Sequence, residues 1–180
     1  MNQQNTTKKI ISCSFKNLSN KKEMDKISIT DIMDQTDYRR QTFYDHFDDK
    51  YDLITWIFSY DVTDLIQHLM KWQNWEEVLF HLLNYLEENR VYYKKIISTI
   101  KLDSFKDYFI YYIKKSIQSL ADDYLQTHPI SDGNSVLIKT KIDFCAYGLS
   151  EMLYHWVLED CDPTATDYHE LLITVIYFKI

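Results

Sequence analysis

The sequence predicts an all-α protein, on three observations. Glycine and proline number only two each among 180 residues, against ordinary usage of ~7% and ~5%, so hairpins, glycine-rich phosphate loops and many-stranded sheets lack the residues that turn them. Apolar side chains, 46% of the chain, recur at three- and four-residue intervals rather than alternately. The breaks between these stretches carry helix caps. A chain of this length buries well over half of its unfolded surface.

A first helix fits residues 6–19, where Ile10, Ile11, Phe15 and Leu18 recur at helical spacing with Lys8, Lys9 and Lys16 between them. The stretch KKEMDK reads as a loop. Ser28 or Thr30 can cap a short second helix, ITDIMDQ, with Ile29, Ile32 and Met33 on one face. Thr36-Asp37-Tyr38 breaks the pattern, and a third short helix runs through RRQTFYDHF. There Phe43 and Phe47, four apart, point both rings into a core while the remaining side chains face outward. Asp48 or Asp49 caps a long fourth helix from Lys50 to about Met70, with Leu53, Ile54, Ile57, Phe58, Val62, Leu65, Ile66 and Leu69 as one stripe.

Asn74, with Glu77 three residues later, has the form of a capping box opening a fifth helix over Val78, Leu79, Leu82, Leu83 and Leu86. A sixth covers Arg90 to about Ile100. A seventh begins at Asp103 or Ser104, carries Phe105, Phe109, Ile113, Ile117 and Leu120, and ends near HPISDG, where Pro129 and Gly133 punctuate the chain. An eighth, apolar over much of its circumference, runs from about Asn134 to Glu159. After CDPTAT a ninth runs from Asp167 to the C-terminus with Leu171, Leu172, Val175, Ile176 and Phe178. The expected organisation is a three-helix head over residues 1–50, joined through the long fourth helix to a helical-bundle body over 51–180.

Charge is unevenly spread. The chain carries 20 Lys+Arg against 27 Asp+Glu, a net charge of -7. Residues 1–60 hold nine of each sign and residues 61–180 hold 11 basic and 18 acidic, while the first thirty have six Lys and two acidic residues. A neutral-to-basic front on an acidic body suits a polyanion-binding head on a sensing or partner-binding body. Three cysteines, Cys13, Cys145 and Cys161, are odd in number and widely spread, which argues against a disulfide framework or zinc site. Cys13 and Cys145 read as small buried hydrophobes. No apolar run approaches the ~20 residues that cross a bilayer and no signal peptide is apparent, so the expectation is a soluble, cytoplasmic protein. The histidines offer no metal-ligand spacing, and no nucleophile with a base, paired carboxylates or cofactor motif points to an enzyme. No cofactor or metal is expected.

Two short helices joined by a three- to four-residue turn form a candidate helix-turn-helix, a unit that lays its second helix in the DNA major groove. The expected DNA-contacting set is Thr30 at the start of the second helix, Arg39, Arg40, Gln41, Thr42, Tyr44 and His46 on the third, and Lys50. Arg can fork onto guanine, Gln onto adenine, and Thr can offer its methyl to thymine. Tyr44 and His46 are more natural phosphate ligands. Lys50, at the positive end of the fourth helix, stands where an anion would bind.

The string ITDIMDQTDYRRQTFYDHFDDKYDLITWIF resembles the N-terminal signature of TetR-family transcriptional regulators. That family reads S-R-x-T-F-Y-x-H-F followed by x-x-K-x-x-L, matched here by Arg40, Thr42, Phe43, Tyr44, His46, Phe47, Lys50 and Leu53. The resemblance implies Phe43 and Phe47 as a core pair, Arg40, Gln41, Thr42, Tyr44 and His46 as groove-facing, and Lys50 as a phosphate contact. The turn departs: the usual Ala-Gly-Val-Ser is Thr36-Asp37-Tyr38-Arg39, which puts its left-handed geometry in question. The runs YLEENRVYYKKI and YGLSEMLYHWV add a narrower resemblance to regulators of dihydroxyacetone kinase operons, a branch in which the regulator can be an activator partnered by a protein resembling a kinase subunit.

The resemblance further implies that the eighth and ninth helices pair with their copies in a two-fold four-helix interface, using Phe144, Gly148, Met152, Trp156, Leu172 and Ile176. Ala146, Gly148 and Ser150 would allow close approach. The aromatics Trp72, Trp75, Tyr85, Tyr92, Tyr93, Tyr108, Tyr111 and Tyr112 read either as core or interface or as an effector pocket. The expected function is a homodimeric, double-stranded-DNA-binding regulator with a kinase-subunit-like protein coactivator. The alternatives are a small-molecule effector acting on a repressor, or a helical interaction module without DNA binding, the last kept open by Asp37, Asp45, Asp48 and Asp49.

Overall fold

A computed structural model describes residues 3–99, 103–128 and 135–177. Among them the chain forms α1 (Gln3–Ser19), α2 (Ile29–Met33), α3 (Arg40–Tyr44), α4 (Lys50–Ile66), α5 (Trp75–Glu88), α6 (Arg90–Ile97), α7 (Asp103–Thr127), α8 (Ser135–Leu158) and α9 (Ala165–Tyr177), with three short 3-10 turns and no strand. Pro129, Gly133, Asn134, Ile100 and Phe178 lie outside the described residues.

The stripe that α1 buries is Thr7, Ile11, Ser14, Phe15 and Leu18; Ile10, expected among them, is 39% exposed. Ile10 sits about 100° around the helix from Ile11, and the Phe15 and Leu18 positions choose Ile11. The expected KKEMDK loop instead contains a 3-10 turn, Met24–Lys26, because Met24 is drawn into the core.

Ser28, not Thr30, caps α2. Its Oγ accepts from the Asp31 N–H at 3.1 Å while the Asp31 carboxylate accepts from the Ser28 N–H at 2.9 Å, a reciprocal box that satisfies two helix-end donors. Lys22 Nζ lies 2.6 Å from the same carboxylate. The Lys22 ammonium, then the Ser28 hydroxyl and amide, hold the Asp31 carboxyl well below the usual carboxylate range. Asp49 caps α4 by accepting from Tyr51 and Asp52 N–H.

The box expected at Asn74 does not form. Its backbone is at φ -108°, ψ 10° without a side-chain cap bond, and its Nδ2 donates back to the Leu69 carbonyl at 3.4 Å. The 3-10 turn Trp72–Asn74 feeds α5 without the extended residue a cap requires.

One continuous core runs from Ile11 in α1 to Leu172 in α9. Its centre is Phe58 on α4, whose ring meets Tyr93 at 5.8 Å, Phe105 at 5.9 Å, Phe109 at 5.3 Å and Tyr112 at 5.1 Å between centroids. Much of the body's aromatic content thus fills core space. Open grooves of about 310 Å³ and about 300 Å³ lie between the end of α8 and the start of α9 and beside α1, respectively.

Helix α8 packs on α6 and α7, and α9 packs on α5. The side of α8 turned inward carries Ile142, Ala146, Ser150, Leu153, Trp156 and Val157. Trp156 and Leu172, both expected at a dimer interface, are 2% exposed within this chain and belong to its core. Ala146 and Ser150 are also buried within this chain. Cys13 and Cys145 are exposed and Cys161 is the buried thiol. Burial, with Glu87 adding to it, pushes the Cys161 thiol up to about 11.

Candidate nucleic-acid interface

Five residues make a helix far too short to persist alone, so α3 exists because its buried side holds it. Phe43 is fully buried and Phe47 is 2% exposed. Their rings lie 5.6 Å apart, and Phe47 meets Trp56 of α4 at 5.8 Å. Lys8 of α1 covers that pair, 4.9 Å from the Phe47 ring and 5.5 Å from Trp56. Ser14 of α1 donates to the Ile32 carbonyl at the end of α2 at 2.5 Å.

The turn between α2 and α3 closes without left-handed backbone. Among the described residues only Asp160 and Cys161 have positive φ outside glycine, so Asp37 is not asked for the conformation that glycine favours. The Thr36 hydroxyl does the organising: it donates to the Met33 carbonyl at 2.8 Å and accepts from the Tyr38 N–H at 3.2 Å.

On the outward side, Arg39, Arg40, Gln41 and Tyr44 are exposed, Thr42 and His46 half-buried, and Thr30 at the first turn of α2 exposed. Arg39 is the N-cap residue of α3, extended at φ -75° and ψ 153°, and its side chain is exposed. Arg40 Nη2 donates to the Tyr44 hydroxyl at 3.3 Å, with its guanidinium carbon 5.8 Å from that ring. The arrangement offers fork-shaped donors beside a phenol, suited to base edges and phosphates.

Lys50, expected as a phosphate contact, is half-buried and held within the chain. Its ammonium donates to the carbonyls of Met24 at 2.9 Å, Asp25 at 3.1 Å and Ile27 at 3.1 Å, and so closes the 3-10 turn that leads into α2. Tyr38 in the turn is 37% exposed beside Arg39.

Several large apolar side chains of α8 and α9 are also exposed. Phe144 is 78% exposed, Met152 39% and Ile176 51%, and with them stand Tyr147 at 58%, Leu171 at 55% and Val175 at 61%. Gly148 is exposed, and a Cβ built on it would meet nothing within 4 Å.

Residues 73–177 match the family model described as "Transcriptional regulator C-terminal region" of TetR proteins. The chain belongs to the TetR-type transcriptional regulators. This TetR-type chain is 38% identical over 104 residues to the HTH-type dhaKLM operon transcriptional activator DhaS of Lactococcus lactis subsp. lactis (strain IL1403), a match covering 58% of the chain and 54% of that protein. The matched stretch spans about half the length of that curated relative. A solved structure described as dihydroxyacetone kinase operon activator DhaS superimposes with a TM-score of 0.72 at 25% identity, over 94% of this chain and 93% of that one. The all-helical TetR-type fold and the non-enzymatic character of the family agree with the sequence reading. No described helix is long and apolar enough to cross a membrane.

Proposed function

We propose that this chain is a sequence-specific DNA-binding regulator that engages a two-fold operator as a homodimer. The observation that carries the reading is the division of α3: Phe43 is buried while Arg40, Gln41 and Tyr44 are held exposed on a helix supported from behind by α1, α2 and α4. Arg39, Arg40, Gln41 and Tyr44 supply the contacts, with Thr30, Thr42 and His46 at their margin. The apolar surface formed by Phe144, Gly148, Met152 and Ile176, extended by Tyr147 and Val175, supplies the contact between subunits. Two-fold DNA recognition requires such a symmetric pair. Residues 1–50 act as the reading head and 51–180 as the body.

For the input signal, the aromatic filling around Phe58 favours a protein partner over a drug-sized molecule held inside the body. With the relative's description as a kinase-operon activator, the reading is an activator working with a protein coactivator that resembles a kinase subunit. A gel-shift titration of the full chain against its own upstream DNA and a scrambled control tests the core of the proposal. Preference for the upstream DNA, falling steeply with salt as phosphate counterions are released, is expected. Equal binding to both overturns it.

A further inference from the structure

The turn Thr36-Asp37-Tyr38 holds an aromatic ring in solvent on a backbone that is fixed from both sides. On the α2 side, the Tyr38 N–H donates to the Thr36 hydroxyl at 3.2 Å, and that hydroxyl donates to the Met33 carbonyl at 2.8 Å. The Thr36 N–H bonds the same carbonyl at 2.9 Å. Met33 is 3% exposed, so a relay of two hydrogen bonds ties Tyr38 to a residue of the core. On the α3 side, Tyr38 is followed by the N-cap Arg39, whose carbonyl accepts from the Thr42 N–H at 2.9 Å. The next residue, Phe43, is fully buried.

Tyr38 itself is 37% exposed. The hydroxyls of Tyr85, Tyr112, Tyr168 and Tyr177 all bond within the chain, whereas that of Tyr38 makes no such bond among the described residues. A turn ordered by polar bonds to the core leaves its exposed ring little freedom to lose when a partner is met.

The chemistry of that partner follows from the place of the ring. In a helix-turn-helix the N-terminal end of the second helix approaches the duplex, and Tyr38 stands two residues before Arg40, the first residue of α3. Asp37 beside it is exposed, and a carboxylate is repelled by phosphate. A phenol supplies an uncharged donor at the same place, of the kind that bonds phosphate oxygens.

Resting on the DNA-binding reading of α3, we propose that Tyr38 is a further DNA contact whose hydroxyl donates to a backbone phosphate, and that Thr36 is the positioning residue that aims it. The contact lies outside the outward face of α3. A phosphate contact carries no base information, so it adds affinity on every duplex and fixes how α3 enters the groove.

Fluorescence anisotropy of labelled upstream DNA and of a scrambled duplex, titrated with the full chain, tests this. Tyr38→Phe removes only the hydroxyl and is expected to lower affinity about tenfold on both duplexes, at the wild-type thermal midpoint. The ratio between the duplexes and the salt slope should not change, because no cation is lost. Thr36→Val removes the hydroxyl that holds the Tyr38 N–H and should also weaken binding. The double variant is expected to bind within about twofold of Tyr38→Phe alone, since aim matters only while there is a hydroxyl to aim. Wild-type affinity of Tyr38→Phe on both duplexes overturns the proposal, as does a loss confined to the upstream DNA, which would make Tyr38 a base contact. Additive losses in the double variant overturn the part given to Thr36. Equal wild-type binding to the two duplexes sinks the operator reading alone, because the Tyr38 effect is still read on each.

Discussion

Helices α3 and α8 use exposed surface in opposite ways. Helix α3 has five residues and exposes polar ones, Arg40, Gln41 and Tyr44, while burying the phenylalanine that fixes it. Helix α8 has 24 residues and exposes Phe144, Tyr147 and Met152 while burying Ala146, Ser150 and Leu153 on its inner side. A polar face on a well-anchored short helix suits a hydrated polyanion, where water stays available to groups that find no partner. An apolar face on a long helix is stable in water only when another apolar surface covers it. The contrast teaches that burial and exposure are distributed separately: α3 is held by one buried ring and shows polar groups to water, whereas α8 is apolar on its inner and its outer side.

The largest effect that breaks this comparison is Phe43→Ala. Removing a fully buried ring costs about 3–5 kcal/mol, and because α3 has no stability of its own the variant is expected to lose DNA binding together with stability. Urea unfolding followed by circular dichroism measures the loss, and a change below ~1 kcal/mol would show that α3 does not depend on its buried side.

Next comes Phe144→Asp. The ring is 78% exposed, so the fold should stay intact while association weakens by about 2 kcal/mol or more, as at an interface hot spot. Light scattering should report twice 21.8 kDa for the wild-type chain and a monomer for the variant. Gly148→Leu sharpens the point, since a Cβ added there would meet nothing within 4 Å, and loss of assembly with an unchanged thermal midpoint would point to the partner. A wild-type monomer at micromolar concentration would remove the interface from the proposal.

Arg40→Ala is expected to leave unfolding unchanged within ~0.5 kcal/mol and to lower operator affinity by roughly 1–3 kcal/mol with relaxed base preference. Competition gel shifts against single-base operator variants read both quantities. An equal loss on every sequence would reassign Arg40 to phosphate.

The smallest expected effect lies at the α2 cap. Asp31 has its folded pKa lowered by Lys22 and Ser28, so its stabilising contribution is fully present above the ordinary carboxylate value of ~3.9 and is lost as pH falls below that value toward the lowered one. The gap in thermal midpoint between wild type and Asp31→Asn should be constant near neutrality and close in acid. A gap that widens in acid would contradict the assignment of the carboxylate as the cap.

Most of α3 and its support was legible in the sequence, because Phe43 and Phe47 are four apart and nothing else on RRQTFYDHF competes for the inside. Ser28 was readable as a cap, although Thr30 stood as an alternative until backbone geometry chose between them and brought Asp31 into the box. Lys50 was not readable: its three carbonyl partners come from residues 24, 25 and 27, some twenty-five positions away, and only the folded approach of α4 to the 3-10 turn places them together.

What the sequence by itself determined is the all-helical class, the order of the helices and the recognition unit, since these follow from periodicity, caps and motif, which act within a few residues. Tertiary structure decided which side of α8 faces inward. That helix is apolar nearly all round, so its pattern assigns no inside, and the packing of α6 and α7 against Ala146, Ser150 and Trp156 made the choice that left Phe144 in solvent. Tertiary structure also decided that Lys94 and Lys95, neighbours in sequence, face different partners, because the 100° step of the helix separates them and only the surrounding elements supply the Asp160 carboxylate on one side and the Ser19 carbonyl on the other.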